Sequence, residues 1–265
     1  MDYKTELCKM TWREAEDAFK KNPVILIPMG SIEQHGPQTP VGDYRYTEEL
    51  SRLISAKTGA VSIPTIPWGY SEYFKHFPGS LTLRPETLKA VLRDLIDCLA
   101  QWNLDHFVMV CGHKGNMPIL EQIAREVKEK YHIRMATIEP LSWLTQDFLR
   151  SLYHDNSVLT GHGSEPMTSL ALYLFPDDAR MDLAENGNPG EIFGKAVKGM
   201  STIDMEGFPA YVYCDTEEIA PNGVLGNATQ FASKQVGGEC MERMVEFGVK
   251  FVNWFKELDT CCAAN

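Results

Sequence analysis

Short apolar runs alternate along the chain with longer segments in which apolar residues recur every three or four positions. The runs at 24–27 and 106–111 are rich in β-branched and other apolar residues, which is typical of buried parallel strands. Helical spacing follows Pro85 and Asn116. This alternation predicts an α/β protein, a single-domain layered sandwich with a mostly parallel sheet flanked by helices. No repeat or linker divides residues 1–265, so one domain is expected.

Capping and turn residues predict where the other elements begin and end. We expect one helix capped by Thr11 and a second helix capped by Thr47 and closed by Gly59. An irregular or edge strand is expected at 61–66, and one strand at 211–214 within the Pro- and Gly-rich segment 176–228. The last helix is expected from about Ala228 to Leu258, interrupted at Gly237 and Gly238.

Composition excludes several classes of partner. The net charge is −11 and no Lys/Arg-rich run offsets it, which argues against a nucleic-acid partner. No stretch approaches the roughly 20 apolar residues of a membrane span, and the N-terminus lacks the apolar core of a signal peptide. The seven cysteines are scattered and include no CxxC pair, as in a reduced protein. These features predict a cytoplasmic protein.

Three glycine-bearing segments present histidines and carboxylates where a strand ends or a helix begins. The residues are Glu33, His35 and Asp43 after the first strand, His113 in GHKGN, and His162 and Glu165 in GHGSE. Loops at the carboxyl ends of parallel strands share one edge of a sheet, so we expect the segments to converge. Taken alone, each of these residues could instead have an ordinary structural role, as a surface acid, a core histidine or a turn residue. His106, His132 and His154 lack this setting and are interpreted as structural.

Imidazoles mixed with carboxylates are suited to one or two divalent ions. A bridging carboxylate such as Asp43 could hold both ions. Such ions lower the pKa of bound water to about 7 and polarise a carbonyl. A histidine is suited to protonate the leaving group near neutral pH.

The same motifs resemble those of the creatininase (creatinine amidohydrolase) family. GSIEQHGP, GYSEYFKHFPGSLTLRPETL, CGHKGN and GHGSEPMTS are similar to its usual forms GSxEQHGPHLPLGTD, GxSxxHxxFPGTxSLxxET, NGHGGN and GHAGxxETS. The resemblance implies an α/β sandwich, a site for two zinc or manganese ions, a hydrolytic reaction and a homohexamer. It implies metal ligation by Glu33, His35, Asp43 and His113, and a catalytic role for His162.

The chain departs from these patterns at several positions. Asp43 lies ten residues after Glu33, where the family spacing is eleven, and Gln38 stands where many members have His. Creatininase proper has a Glu at the position of Gly115, and the usual ETS glutamate is Met167 here. We therefore expect Glu165 to supply the carboxylate on the second metal and to act in catalysis.

The leading hypothesis is a metal-dependent hydrolase that opens a small cyclic amide or related carbonyl compound. One alternative is hydrolysis of a cyclic diketone derived from inositol, with C–C cleavage, and another is a non-catalytic metal-binding scaffold. Creatinine itself is disfavoured, because neither candidate pocket tryptophan, Trp68 or Trp143, directly precedes the fourth motif. Tyr70, Glu72 and His76 are candidates for the mouth of the pocket. For Lys114 there are two alternatives, binding of a substrate oxygen and exposure to solvent without a role.

Overall fold

The computed structural model describes residues 4–155, 158, 160–187, 191–227 and 229–262. The helices are α1 (Trp12–Phe19), α2 (Tyr44–Thr58), α3 (Pro85–Ala100), α4 (Met117–Tyr131), α5 (Gln146–Tyr153), α6 (Met167–Leu174), α7 (Thr216–Ile219) and α8 (Lys234–Phe255). The strands are β1 (Ile25–Met29), β2 (Val61–Ser62), β3 (Phe107–Cys111), β4 (Ala136–Ile138), β5 (Glu191–Ile192), β6 (Lys195–Gly199), β7 (Thr202–Met205) and β8 (Phe208–Tyr211).

A parallel sheet with strand order β2-β1-β3-β4 forms the centre of the molecule. Side chains of β1 and β3 alternate between its two faces, as the pleat requires. Leu26 and Val108 belong to the apolar core on the side of α2, α6 and α8, whereas Ile27 and Met109 belong to the core on the side of α3 and α4. Helices therefore cover both faces of a parallel sheet, and the predicted α/β layered architecture is confirmed.

The register of the two central strands positions the loops that follow them. Met29, the last residue of β1, pairs with Cys111, the last residue of β3. The backbone N–H of Gly112 then donates to the carbonyl of Met29 at 2.8 Å. The loops after β1 and β3 consequently leave the sheet side by side at one edge.

Two predicted helix boundaries were wrong. Thr47 does not cap α2, which begins at Tyr44, and its hydroxyl donates to the Asp43 carbonyl one turn earlier. The last helix begins at Lys234 (the predicted start, Ala228, lies outside the described residues) and continues through Gly237. A Cβ at Gly237 would lie 2.0 Å from the Ser169 carbonyl, so this glycine allows α8 to approach α6 closely instead of interrupting the helix.

A second sheet was missed in the sequence. Strands β5 to β8 form an antiparallel sheet in sequential order. The single strand predicted here, at 211–214, was wrong, because β8 ends at Tyr211 and residues 212–214 are not in a strand. The strands of this sheet have two to five residues, and its buried core is small, with Val197 next to Cys214 and Ile219. Apolar patterning is weak in such short, half-exposed strands, which is why the sequence did not indicate them.

Across the described ranges, none of the helices combines the length and the apolar character that crossing a bilayer requires.

Candidate metal centre

Glu33 lies at the centre of the sheet edge where the β1 and β3 loops meet. Its side chain is only 2% exposed. Its Oε2 is 2.9 Å from Nδ1 of His113, and its Oε1 is 3.6 Å from Nε2 of His35 and 4.0 Å from Nδ1 of His162. Each carboxylate oxygen therefore faces a different set of imidazoles.

Two groups of possible metal ligands share this carboxylate. One group contains Glu33, Asp43 and His113, and the other contains Glu33, His35 and His162. Within each group the ligand atoms lie within 4.8 Å of one another. Asp43, suggested from the sequence as the bridging carboxylate, belongs only to the first group. Glu33 is the carboxylate that the two groups share, because its two oxygens point in two directions.

Asp43 is held in place by the loop that precedes it. One of its oxygens accepts a hydrogen bond from the backbone N–H of Ser31 at 2.6 Å, and the other lies 3.2 Å from Nδ1 of His113. A Cβ at Gly30 would be 2.3 Å from Oδ1 of Asp43. Glycine at position 30 therefore leaves the space into which this carboxylate folds back.

A backbone carbonyl determines which nitrogen of His113 carries its proton. Nε2 lies 2.8 Å from the carbonyl oxygen of Tyr70, which can only accept a hydrogen bond. The proton of neutral His113 is therefore on Nε2, and Nδ1 turns its lone pair toward Glu33 and Asp43. This is the arrangement in which metal-ligating histidines are usually held.

The rings of His35 and His162 are held in the same way as that of His113, by a backbone carbonyl. Nδ1 of His35 lies 3.2 Å from the carbonyl of Glu33, and Nε2 of His162 lies 2.6 Å from the carbonyl of Gln34. Each ring donates to a carbonyl with one nitrogen and turns the other nitrogen toward the carboxylate of Glu33. The rings of His35 and His162 are also stacked, with centroids 4.7 Å apart.

The charges of the centre are strongly coupled. Burial raises the pKa of Glu33, although His113 opposes that shift. Burial alone would lower the pKa of His113, but the carboxylates of Glu33 and Asp43 outweigh it and raise that pKa well above its usual value. Burial lowers the pKa of His162 well below its usual value, and His35 adds to the shift. His162 is therefore a neutral imidazole at neutral pH.

The donor set fits divalent cations. Oε2 of Glu33 is buried, and among the described residues only His113, whose Nδ1 lies 2.9 Å away, is placed to donate a hydrogen bond to it. A carboxylate oxygen and an imidazole lone pair that face each other inside a protein need a cation or a proton between them. Mixed nitrogen and oxygen ligands of this kind suit zinc, and they also accept manganese.

Comparison of the chain with models of known protein families shows which family it belongs to. The model of the family described as "Creatininase: Creatinine amidohydrolase" matches residues 8–252. The chain belongs to the creatininase family. The family membership expected from the four sequence motifs is thereby confirmed.

Curated relatives of this creatininase-family chain are hydrolases. A mycofactocin precursor peptide peptidase from Mycobacterium ulcerans is 27% identical over 217 residues, covering 78% of this chain and 76% of the relative. A 3-dehydro-scyllo-inosose hydrolase from Thermotoga maritima is 24% identical over 261 residues, covering 92% of this chain and 81% of the relative. These relatives support a hydrolase.

Solved creatininase structures share the fold. A mutant creatininase complexed with creatine has a TM-score of 0.78 at 21% identity, covering 96% of this chain and 99% of that structure. A manganese creatininase has a TM-score of 0.77 at 22% identity, covering 94% and 98%. A further mutant creatininase structure is of a zinc–zinc type.

Two aromatic residues of the second family motif cover the centre and were not singled out from the sequence. Phe74 is buried and its ring stacks on His162, with centroids 4.1 Å apart. Tyr73 stacks on His113 at 6.2 Å, and its hydroxyl lies 3.2 Å from Nε2 of that ring. The only signal for them was their position within the motif.

The structure does not bring Glu165 to the centre. Its carboxylate accepts hydrogen bonds from the hydroxyl of Tyr153 at 2.7 Å, from the backbone N–H of Ser169 at 3.0 Å and from the hydroxyl of Ser169. Neither of the two groups around Glu33 includes it. The interpretation of Glu165 as a ligand of the second metal and a catalytic residue is therefore corrected: both of its oxygens are used inside the helical layer.

The other candidates for the pocket mouth are only partly near the centre. Tyr70 contributes its backbone carbonyl, whereas Glu72 forms an exposed ion pair with Lys75. His76 is paired with Glu217, close to α7. Trp143, a candidate pocket tryptophan, packs against Phe247 of α8 and against the apolar core beneath α2 and α8.

The histidines interpreted as structural are placed accordingly. His132 and His154 follow the last residues of α4 and α5 in left-handed backbone conformation, with φ of 57° and 52°. His106 contacts the carboxylate of Asp105, and its Nε2 lies 3.0 Å from the carbonyl of Leu258. None of the three belongs to either of the two groups around Glu33.

Proposed function

We propose that this chain is a metal-dependent hydrolase that cleaves an amide or a related carbonyl compound at the Glu33 centre. The observation that carries the proposal is the shared orientation of three imidazoles, each of which presents a nitrogen to Glu33 while a backbone carbonyl holds the other. Glu33, Asp43 and His113 would hold one divalent ion, and Glu33, His35 and His162 a second.

Bound divalent ions would supply a water molecule of lowered pKa and polarise the carbonyl that is attacked. The chain itself orients the ligands: Ser31 fixes Asp43, and Tyr70 and Gln34 fix the rings of His113 and His162. Phe74 excludes water from one face of His162. A dry, pre-organised site of this kind strengthens the electrostatic interactions on which hydrolysis depends.

For His162 we propose metal ligation in place of the proton donation expected from the sequence. Its Nε2 is held by the Gln34 carbonyl, and its Nδ1 faces Glu33. A neutral imidazole with a lowered pKa has no spare proton to deliver at neutral pH.

The bond cleaved is proposed to be C–N. The family description names an amidohydrolase, and the M. ulcerans relative is a peptidase, so both act on amide-type bonds. A small cyclic amide remains the leading substrate class, and a short peptide is the acyclic version of the same chemistry. The second candidate is C–C hydrolysis of a cyclic diketone derived from inositol, which the T. maritima relative favours by matching 92% of this chain.

The deciding experiment is metal removal and readdition with a substrate panel. The protein is stripped with a chelator, and zinc or manganese is restored while creatinine, other cyclic amides, short peptides and oxidised inositols are assayed. We expect hydrolysis of at least one class, lost on stripping and recovered with metal. Metal binding without turnover of any class would favour the scaffold alternative, and no metal binding would refute the centre.

The assembly and the location stay predictions from the sequence. We propose a homo-oligomer, with the hexamer implied by the family resemblance, acting in the cytoplasm. Light scattering coupled to size-exclusion chromatography measures the number of copies directly, and a monomeric mass would contradict this part of the proposal.

A further inference from the structure

Gly115 lies where a side chain would strike three atoms around His113. A Cβ at this position would be 2.4 Å from Nε2 of His113, 2.5 Å from the hydroxyl of Tyr73 and 2.6 Å from the carbonyl of Tyr70. Real Cβ atoms do not approach other atoms so closely. The space beside the outer nitrogen of His113 is therefore already filled, and the Tyr73 hydroxyl fills part of it.

Tyr73 contacts His113 in two ways at once. Its ring lies at 27° to the imidazole with centroids 6.2 Å apart, and its hydroxyl oxygen is 3.2 Å from Nε2. The Nε2 proton already donates to the Tyr70 carbonyl, so the hydroxyl is a second acceptor beside it. These contacts oppose rotation of the imidazole, which would move Nδ1 away from Glu33 and Asp43.

We infer that Tyr73 is a positioning residue for His113, and that position 115 is glycine because His113, the Tyr73 hydroxyl and the Tyr70 carbonyl together occupy the space of its side chain. The inference rests on the proposed metal centre. A phenol from another loop thus occupies part of the space beside the outer nitrogen of the histidine. Outer partners of this kind typically contribute 10–100-fold to metal affinity.

The test is the metal affinity of Tyr73→Phe, measured by competition of the full-length protein with a chelator for zinc. We expect binding to weaken about 10–100-fold. The visible absorption of the cobalt-substituted protein should also shift, because it reports the ligand geometry, which a purely structural role would leave unchanged. The matched control is Tyr131→Phe, which removes a hydroxyl that donates to Asp97 at 2.6 Å on the surface of α4. Its metal affinity and spectrum should equal those of the wild type.

Gly115→Ala supplies an independent variant. Its Cβ should weaken zinc binding, and the double variant Gly115→Ala with Tyr73→Phe should lose less than the product of the two single losses, because both changes act on one ring. If Tyr73→Phe does not fold, the zinc affinity and the cobalt spectrum of Gly115→Ala test the inference in its place.

Wild-type affinity in both single variants would overturn the inference while leaving the proposed centre intact. Absence of metal binding by the wild type would refute the proposed centre itself. The two failures are therefore distinguishable.

Discussion

Oε2 of Glu33 and Nδ1 of His113 lie 2.9 Å apart inside the protein, and no other described residue donates a hydrogen bond to that carboxylate oxygen. A carbonyl holds the proton of the ring on its other nitrogen. Two electron-rich atoms at this distance require a positive charge between them, either a second proton on the ring or a metal ion. The chemistry proposed for the chain follows from this pair.

Replacing Glu33 should affect both ions. We expect Glu33→Gln to lose both, because its carboxylate belongs to both ligand groups, whereas Asp43→Asn should lose one. Hydrolysis by Glu33→Gln should fall at least about 100-fold, since losing even one charge-stabilising group costs about 10²–10³. Metal analysis after gel filtration measures the content. Glu121→Gln, at an exposed ion pair of α4, is the control. Unchanged metal content in Glu33→Gln would contradict the shared-ligand geometry.

Metal affinity should increase with pH. Glu33 and Asp43 raise the pKa of His113, so the metal-free protein keeps a proton on Nδ1 to a higher pH than an ordinary histidine. A metal must displace that proton, and affinity therefore falls as pH falls, about tenfold per pH unit for each proton displaced. Calorimetric titration in buffers of different ionisation enthalpy counts the protons released. A flat affinity between pH 6 and 8 (a range of about two units chosen around the ordinary histidine pKa) would exclude this competition.

His162→Ala separates ligation from proton donation. If His162 binds the second ion, the variant should lose about half of the metal as well as its activity. If it only donates a proton, the metal content should stay complete while the activity falls about 10²–10⁴-fold. The neutral state expected from burial and from the neighbouring His35 favours the first outcome. His154→Ala, located after the end of α5, serves as the matched control.

Glu165→Ala should destabilise the protein without removing metal. The change leaves the Tyr153 hydroxyl and the Ser169 N–H without their buried acceptor, which costs about 1–3 kcal/mol per group. Ser169 also accepts from the backbone of Ser233 at the start of α8, so the loss extends to three helices. Denaturant unfolding of the metal-free protein measures the free energy, and metal analysis provides the second readout. Loss of one ion at unchanged stability would restore the interpretation of Glu165 as a ligand.

The failure at Glu165 shows the limit of reading spacing alone. Glu165 lies two residues from the expected position of the motif glutamate, close to a glycine and a histidine. In the sequence, a carboxylate with a structural role at such a position looks the same as a metal ligand. Its direction depends on Tyr153 and Ser169, which come from α5 and α6 and are recognisable as its partners only when these helices are packed. Tyr73 illustrates the converse, because its contact with His113 depends on the absence of a side chain at Gly115, and an absent side chain gives no signal by itself.

The sequence by itself determined the layered α/β class, the central strands and the loops that carry Glu33, His35, Asp43 and His113, since apolar periodicity and glycine-bearing motifs are local properties of the chain. Only the tertiary structure decided that Glu33 is shared by both ligand groups and that Nδ1 of His162 faces it. It also decided that residues 191–211 form a second sheet. The physical reason is that these features depend on strand register and side-chain direction. Both are set by contacts between segments far apart in the chain, beginning with the pairing of Met29 and Cys111.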